Sequence, residues 1–310
     1  MSLDQSVLVC DQVNPTLNEI LEKNGLKVTY EPEITPEQLA EKIGNFQVVV
    51  VRSRTKLVKG LIEKADKCKI IARVGVGLDN IDENAAKEKN IKVINAVEGA
   101  MNAVAELVIG LMLSMAREIP RADREVRNGN WIKKELMGRE LSGKYLGIVG
   151  LGNIGKKLAR HAKSLNMNII GYDVVPIDEE FSKEVGLMKA DLDTLLSSSD
   201  YVSLHVPLLE STHHMINNEK LKLMKKTACI INTARGGVID EDALYNSLKE
   251  GNLANAALDV FEAEPATGNK LITLPNFIAT PHIGAQTKEA QSLAANIIAE
   301  KIIQIIRGVI

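Results

Sequence analysis

Hydrophobic positions along this chain follow two spacings. Ten short runs rich in Val, Ile and Leu read as strands buried on both faces: "SVLVC", "QVVVV", "KIIARV", "IKVINA", "YLGIVG", "NIIGYD", "YVSLHV", "ACIINTA", "NAALDV" and "NFIATPH". Between most of them lie stretches with helical spacing, such as "TPEQLAEKIG" and "EDALYNSLKEG". Strand and helix patterns in alternation predict an α/β protein with helix-covered parallel sheets. The segment "NAVAELVIGLMLSMAREIPRADREVRNG" predicts one extended helix, with Asn102 as its N-cap and Gly129 as its stop. Another helix is expected near the end, in "TKEAQSLAANIIAEKIIQIIRG". One sheet before the first long helix and a second from Tyr145 to Ile278 predict two domains joined by a double crossing. The expected division is residues 1–97 plus 284–310 against residues 98–283.

Composition narrows the function classes. The 310 residues are 45% hydrophobic and 25% charged, as in ordinary globular proteins. A net charge of −2 gives no reason to expect a nucleic-acid or membrane-surface partner. The opening "MSLDQSVLVC" has no signal-peptide pattern. The longest apolar run, "AVAELVIGLMLSMA", is interrupted by Glu106 and falls short of the ~18 residues a membrane span needs. Cys10, Cys68 and Cys229 are odd in number and scattered, so neither a disulfide framework nor a metal site is expected. These observations together imply a cytoplasmic protein.

Two groups of residues carry candidate chemistry. In "KYLGIVGLGNIGKKLARHA", Gly150, Gly152 and Gly155 stand in G-x-G-x-x-G spacing between a strand pattern and a helix pattern. That context suits a dinucleotide: a tight turn at Gly150, room for pyrophosphate at Gly152, close helix–strand packing at Gly155, and a helix N-terminus facing the anion. Asp173 ends the next strand, where a carboxylate can accept from ribose hydroxyls and repel a 2′-phosphate. No arginine follows it, so NAD is expected over NADP. Arg235 follows the strand in "CIINTARGG", Asp259 and Glu264 follow "NAAL", and His282 follows "NFIATP". If these strands are neighbours, the three loops meet. An arginine fork can hold a carboxylate. A carboxylate beside an imidazole orients the ring and favours its charged form, which suits proton transfer to or from a ketone oxygen.

These runs resemble the D-isomer-specific 2-hydroxyacid dehydrogenase family. The matching segments are "RVGVGLDNID", "VAELVIGLML", "GLGNIG", "HVPLLEST", "NTARGGVIDEDAL", "ALDVFEAEP" and "TPHIGAQT", in family order over nearly the whole chain. The resemblance implies a flavodoxin-like substrate domain and an NAD-binding Rossmann domain with a cleft between them, usually in a homodimer joined through the long helical arm. It implies that Arg235 binds the substrate, that His282 is the acid/base, and that Glu264 is its carboxylate partner. Along NAD it implies Asn153, Ile154, Val206, Pro207, Thr233, Ala234, Asp259, Gly284 and Ala285, together with Arg235 and His282. His205 is expected to border the cofactor, and the adjacent His213 and His214 to lie on the surface.

The substrate signal is a smaller one. Arg52 and Arg54 in "VVVVRSRTKL" alternate onto one side if the strand continues, and with Lys56 and Ser53 they would suit a phosphate-bearing 2-hydroxy or 2-oxo acid. The family loop matched by "RVGVG" implies carboxylate binding by the amides of Val76 and Gly77. Glu264 argues against the formate dehydrogenase branch, which carries Gln there. Ala100 and Met101 replace polar residues found in some phosphate-using relatives. Glyoxylate or hydroxypyruvate reduction is the competing expectation, and an NAD-sensing corepressor with the same Arg–Glu–His set is a remoter one. No regulatory domain is expected after Ile310, and hence no feedback control through one.

Overall fold

The computed structural model describes residues 5–309; the opening Met1–Asp4 and the final Ile310 lie outside the described residues. The chain divides into two compact units, Met1–Met101 with Ala285–Ile310, and Asn102–Gly284.

The first unit carries five parallel strands: β1 (Ser6–Val9), β2 (Lys27–Tyr30), β3 (Val48–Val51), β4 (Ile70–Arg73) and β5 (Lys92–Asn95), in the order β2-β1-β3-β4-β5. That is the flavodoxin-like order, with its switch point between β1 and β3. All four valines of β3 are fully buried because both faces of the sheet are covered. One face packs on the helix Lys288–Ile306 through Ala295, Ile298, Ala299 and Ile302. The chain's last long helix therefore completes the core of its first sheet.

The second unit carries seven parallel strands: β6 (Tyr145–Val149), β7 (Asn168–Tyr172), β8 (Met188–Lys189), β9 (Tyr201–Leu204), β10 (Cys229–Asn232), β11 (Asn255–Leu258) and β12 (Phe277–Ala279). Their order is β12-β11-β10-β9-β6-β7-β8. The order reverses between β6 and β9, and ligands of such sheets bind outside the carboxyl ends of the strands at that point. Side chains alternate into two cores. Leu146, Ile148 and Ile231 face one side, and Val149, Val202, Leu204 and Ile230 the other. All ten expected strands are present. The two that the pattern missed, β2 and β8, are edge strands with mostly exposed or half-buried residues, so they lack a continuous apolar run.

The extended helix expected from residue 102 to 129 is two helices, Met101–Ala116 and Ile119–Arg127. Pro120 explains the break. Its ring would clash with the carbonyl of Ala116 in a continuous helix, and it has no N–H to donate. Glu118 turns the chain with φ +51°. Nor is Asn102 a cap. A 3-10 turn, Val97–Ala100, precedes the helix, and Asn102 lies inside it, bonded to Glu106 and to His161 Nε2 at 3.2 Å. Gly129 does follow the end of the second helix, with φ +82°. The combined span Val97–Ala116 is 20 residues of mean hydropathy 1.6, long and apolar enough by composition to cross a bilayer, contrary to the shorter run read from sequence. Here its Val108, Leu111, Met112 and Met115 are buried in the core of the second unit.

Candidate active site

Dinucleotide chemistry can be placed at the carboxyl end of β6. Gly150 takes φ +93°, and a Cβ there would stand 2.6 Å from the carbonyl oxygen of His205 at the end of β9. A Cβ on Gly155 would collide with the Gly150 carbonyl, so glycine lets the helix Asn153–Ser164 start hard against the strand. By contrast, Gly152 faces open space. It caps the helix without a side-chain hydrogen bond, which leaves the first-turn amides of Asn153 and Ile154 for an anion. Asp173 stands opposite. Its Oδ2 accepts from the Leu151 amide at 2.6 Å and its Oδ1 from the Val175 amide at 3.0 Å. Each oxygen keeps a lone pair for a further donor such as a ribose hydroxyl. Open space at Gly152, uncapped amides and a fixed carboxylate fit a dinucleotide.

At the end of β9 are His205, Val206 and Pro207. The His205 ring is drawn out of water, which pushes its pKa down to about 4, and its Nε2 lies 2.9 Å from Ser203 Oγ. A ring kept neutral in this way serves poorly as a proton donor near pH 7. Next along the sheet, β10 ends at Asn232, a buried polar residue that sequence reasoning passed over. Its Oδ1 accepts from the Ala234 amide at 3.0 Å, and its Nδ2 donates to the Arg235 carbonyl at 2.8 Å. Asn232 thus shapes the turn that presents Arg235, and Arg235 Nη1 donates to the Ala234 carbonyl at 2.6 Å. Thr233 Oγ1 is buried and has no hydrogen-bond partner among the described residues, an orphan that a bound ligand could satisfy.

β11 leads to Asp259, almost fully buried. Its Oδ1 accepts from Thr280 Oγ1 at 2.6 Å and from the Ile283 amide at 2.8 Å; its Oδ2 accepts from the Gly284 amide at 2.8 Å. The Asp259 carbonyl also accepts from the His282 amide at 2.8 Å. One aspartate therefore ties down the loop after β12. In that loop His282 has φ +55°, a conformation uncommon for a residue with a Cβ and held here by the surrounding bonds. Its Nδ1 lies 2.8 Å from Glu264 Oε2 and 3.1 Å from Oε1. A carboxylate only accepts, so Nδ1 carries the proton and the ring is held with Nε2 as its working nitrogen. Glu264 Oε1 is itself fixed by the Phe261 amide at 3.2 Å. Arg235, Glu264 and His282 stand just past the carboxyl ends of β10, β11 and β12, three neighbouring strands. The turn of Arg235 presses on the loop of Glu264, since any side chain at Gly236 would overlap the Phe261 carbonyl.

Residues 109–284 match the family model for the NAD-binding domain of the D-isomer-specific 2-hydroxyacid dehydrogenases. The chain belongs to that family. It is 49% identical over 303 residues, 97% of its length, to D-3-phosphoglycerate dehydrogenase of Methanocaldococcus jannaschii, and it spans 57% of that longer protein. It is 48% identical over 286 residues to hydroxypyruvate reductase of Thermotoga maritima, covering 91% of this chain and 92% of that one. The crystal structure of D-lactate dehydrogenase from Aquifex aeolicus complexed with NAD and lactic acid superposes with a TM-score of 0.85 at 31% identity, covering 98% of this chain and 96% of the other.

The remaining expected residues belong to the other unit, and there the basic cluster is revised. β3 stops at Val51, so strand alternation does not govern Arg52, Ser53 and Arg54. Asp11, buried and overlooked in the sequence, organises this turn. It accepts from the Arg52 amide, from Thr55 Oγ1 at 2.6 Å and from Arg54 Nε at 3.2 Å. Arg54 also donates to the carbonyls of Cys10, Pro32 and Ile34 at 2.5, 2.8 and 3.0 Å. Its guanidinium is spent on holding the loop. Arg52 differs. Burial lowers its pKa, Asp11 partly offsets this, and its Nη2 donates to Gln286 Oε1 at 3.0 Å. Val76 and Gly77 lie in the loop after β4, where Val76 O accepts from Asn95 Nδ2 at 2.6 Å. Ala285 opens the segment that returns to this unit.

Proposed function

We propose that this protein is an NAD-dependent D-2-hydroxyacid dehydrogenase that interconverts D-3-phosphoglycerate and 3-phosphohydroxypyruvate, the oxidation that leads toward serine. The observation that carries the reaction class is the 2.8 Å contact between His282 Nδ1 and Glu264, on loops that flank Arg235 at three adjacent strand ends. NAD held at the carboxyl ends of these strands would supply the hydride acceptor for oxidation at the substrate C2, and NADH the donor for the reverse. His282 Nε2 takes the hydroxyl proton in oxidation and gives it back in reduction, and Glu264 holds the ring and offsets its charge. Arg235 binds the substrate carboxylate and carbonyl. The residues that hold NAD are Gly150, Gly152, Asn153, Ile154 and Gly155 at the pyrophosphate, Asp173 at the ribose, and Val206, Pro207, Thr233, Ala234, Gly284 and Ala285 along the rest.

Identity to the archaeal phosphoglycerate dehydrogenase supports the phosphorylated substrate, with Arg52, Ser53, Val76 and Gly77 as its ligands in the first unit. Hydroxypyruvate reduction is the second reading. It is favoured by the near full-length match to the Thermotoga enzyme and by the commitment of Arg54 to Asp11. A homodimer fits the exposed apolar residues of the arm, Ile119, Val126, Trp131 and Met137. Three buried, unpaired cysteines suit a reducing, cytoplasmic compartment. The test is NADH oxidation with phosphohydroxypyruvate, hydroxypyruvate, glyoxylate and pyruvate side by side. The proposal expects the highest kcat/KM with the phosphorylated acid, and expects Arg235→Gln and His282→Ala to lose turnover while binding NADH. A higher kcat/KM for hydroxypyruvate selects the second reading, and no turnover of any 2-oxo acid rejects both.

A further inference from the structure

The turn of Arg235 and the loop of Glu264 leave adjacent strands at points where the sheet ladder has ended, so something else must set their spacing. Steric contact at Gly236 is one restraint. A second comes from His213 and His214, which the sequence leaves on the surface without a role. The His214 amide donates to the Gly237 carbonyl at 2.7 Å, on the turn of Arg235. Its side-chain Nε2 lies 2.9 Å from Glu262 Oε1, two residues before Glu264. His214 therefore touches both loops at once. It does so with φ +50°, and the His213 ring stacks on it at 4.0 Å and 21°.

A third element joins them. The Glu262 amide donates to Glu241 Oε1 at 2.7 Å, and the Glu241 amide donates back to Glu262 Oε1 at 3.4 Å. Glu241 opens the helix Glu241–Lys249 that follows the Arg235 turn, and its Oε2 accepts from Asn269 Nδ2 at 2.6 Å. Both carboxylates are thus held by amides at a helix start and a loop, where negative charge is stabilised. Nothing here needs to touch substrate.

We propose that His214, Glu262 and Glu241 form a brace that fixes the Arg235 turn against the Glu264 loop, making them positioning residues for the reaction. The role rests on the reading of Arg235 and Glu264 given above. Glu262 is the keystone, because its Oε1 receives both His214 and the Glu241 amide. Its side chain is 39% exposed, so truncation removes the contacts without opening the core.

The test compares Glu262→Ala and Glu262→Gln in the full chain. In Glu262→Ala, kcat for 2-oxo-acid reduction is expected to fall about three- to tenfold while the NADH dissociation constant stays within about twofold, the pattern of a lost orientation rather than lost cofactor binding. Glu262→Gln keeps an acceptor at the same place and is expected to retain most of the wild-type kcat. Amide hydrogen exchange gives a readout independent of turnover: peptides spanning residues 233–238 and 260–266 should exchange faster in Glu262→Ala, with strand peptides unchanged. Unchanged exchange overturns the brace even if the wild-type chain reduces no 2-oxo acid, and that failure of turnover would count against the functional reading alone. A Gln variant as slow as the Ala variant also overturns it, since charge rather than geometry would then be at work.

Discussion

Asp259 offers the sharpest test of how the site is built. Its position beside Gly284 admits two roles, a direct contact with the nicotinamide or a tether for the loop of His282. In the structure its carboxylate accepts three hydrogen bonds from that loop, from Thr280 Oγ1 and the amides of Ile283 and Gly284. Consider Asp259→Asn. The amide oxygen can keep the Oδ1 position and still accept from Thr280 and Ile283. The amide nitrogen then faces the Gly284 N–H, donor against donor. Rotating the amide saves that bond and loses the other two, so the first arrangement is the cheaper. The variant thus loses one charge-assisted bond and leaves a buried N–H unpaired, a cost of about 1.5–3 kcal/mol. Drawn from the ordered position of His282, that energy lowers kcat by about ten- to a hundredfold. The checks are steady-state kcat for the preferred 2-oxo acid and NADH affinity by fluorescence titration. A tether lowers kcat and leaves the NADH dissociation constant within about twofold. Wild-type kcat with a large loss of NADH affinity would refute the tether and assign Asp259 to the cofactor.

Three further outcomes can be measured directly. Asp173→Ala should narrow the preference for NADH over NADPH by about tenfold or more, since it removes one charge facing a 2′-phosphate; an unchanged ratio of kcat/KM values removes Asp173 from the ribose site. Burial pushes the His205 pKa in the folded chain down to about 4 from its ordinary 6.5, so below 6.5 the unfolded chain binds the extra proton. Its contribution to stability is full above pH 6.5 and is lost as pH falls toward 4, by up to about 3 kcal/mol. Urea unfolding of the wild type should weaken across that window, and His205→Gln should flatten the slope. Arg52→Ala should raise KM for phosphohydroxypyruvate more than for glyoxylate and leave the melting temperature nearly unchanged. Arg54→Ala should instead lower the melting temperature, because it strips a partner from buried Asp11; the half-exposed guanidinium limits the loss to about 1–3 kcal/mol. Equal melting curves for the two variants would contradict the separation of their roles.

The sequence makes the interior of both sheets legible because burial on two faces writes a continuous run of apolar residues. β3 is four valines in a row, and it lies at the middle of its sheet. Edges leave no such mark. In β2 the run is "KVTY", half-buried at best, and in β8 only "MK". The arm shows a different failure. Its apolar spacing continues through residue 116, and the charged stretch beyond it keeps a helical character, so periodicity alone joins two helices. Pro120 was the available signal, since a proline constrains the carbonyl four residues before it.

At the site, sequence order conveys which residues end strands but not what holds them there. Arg235, Glu264 and His282 could be singled out because each follows an apolar run, and a parallel sheet puts all such positions at one edge. Arg54 was misjudged by the same logic. Alternation does not hold three residues past the end of β3, where the chain turns and obeys its hydrogen bonds instead. The residues that settle these loops are short polar ones inside apolar segments. Asp11 follows "VLVC", Asn232 ends "CIIN", and Asp259 follows "NAAL". A buried carboxylate or carboxamide must find partners nearby, and at a strand's carboxyl end the nearest donors are the amides of the departing loop. A polar residue at the last position of a buried strand therefore marks a loop whose shape is specified. In this chain the two loops that Asn232 and Asp259 specify carry Arg235 and His282.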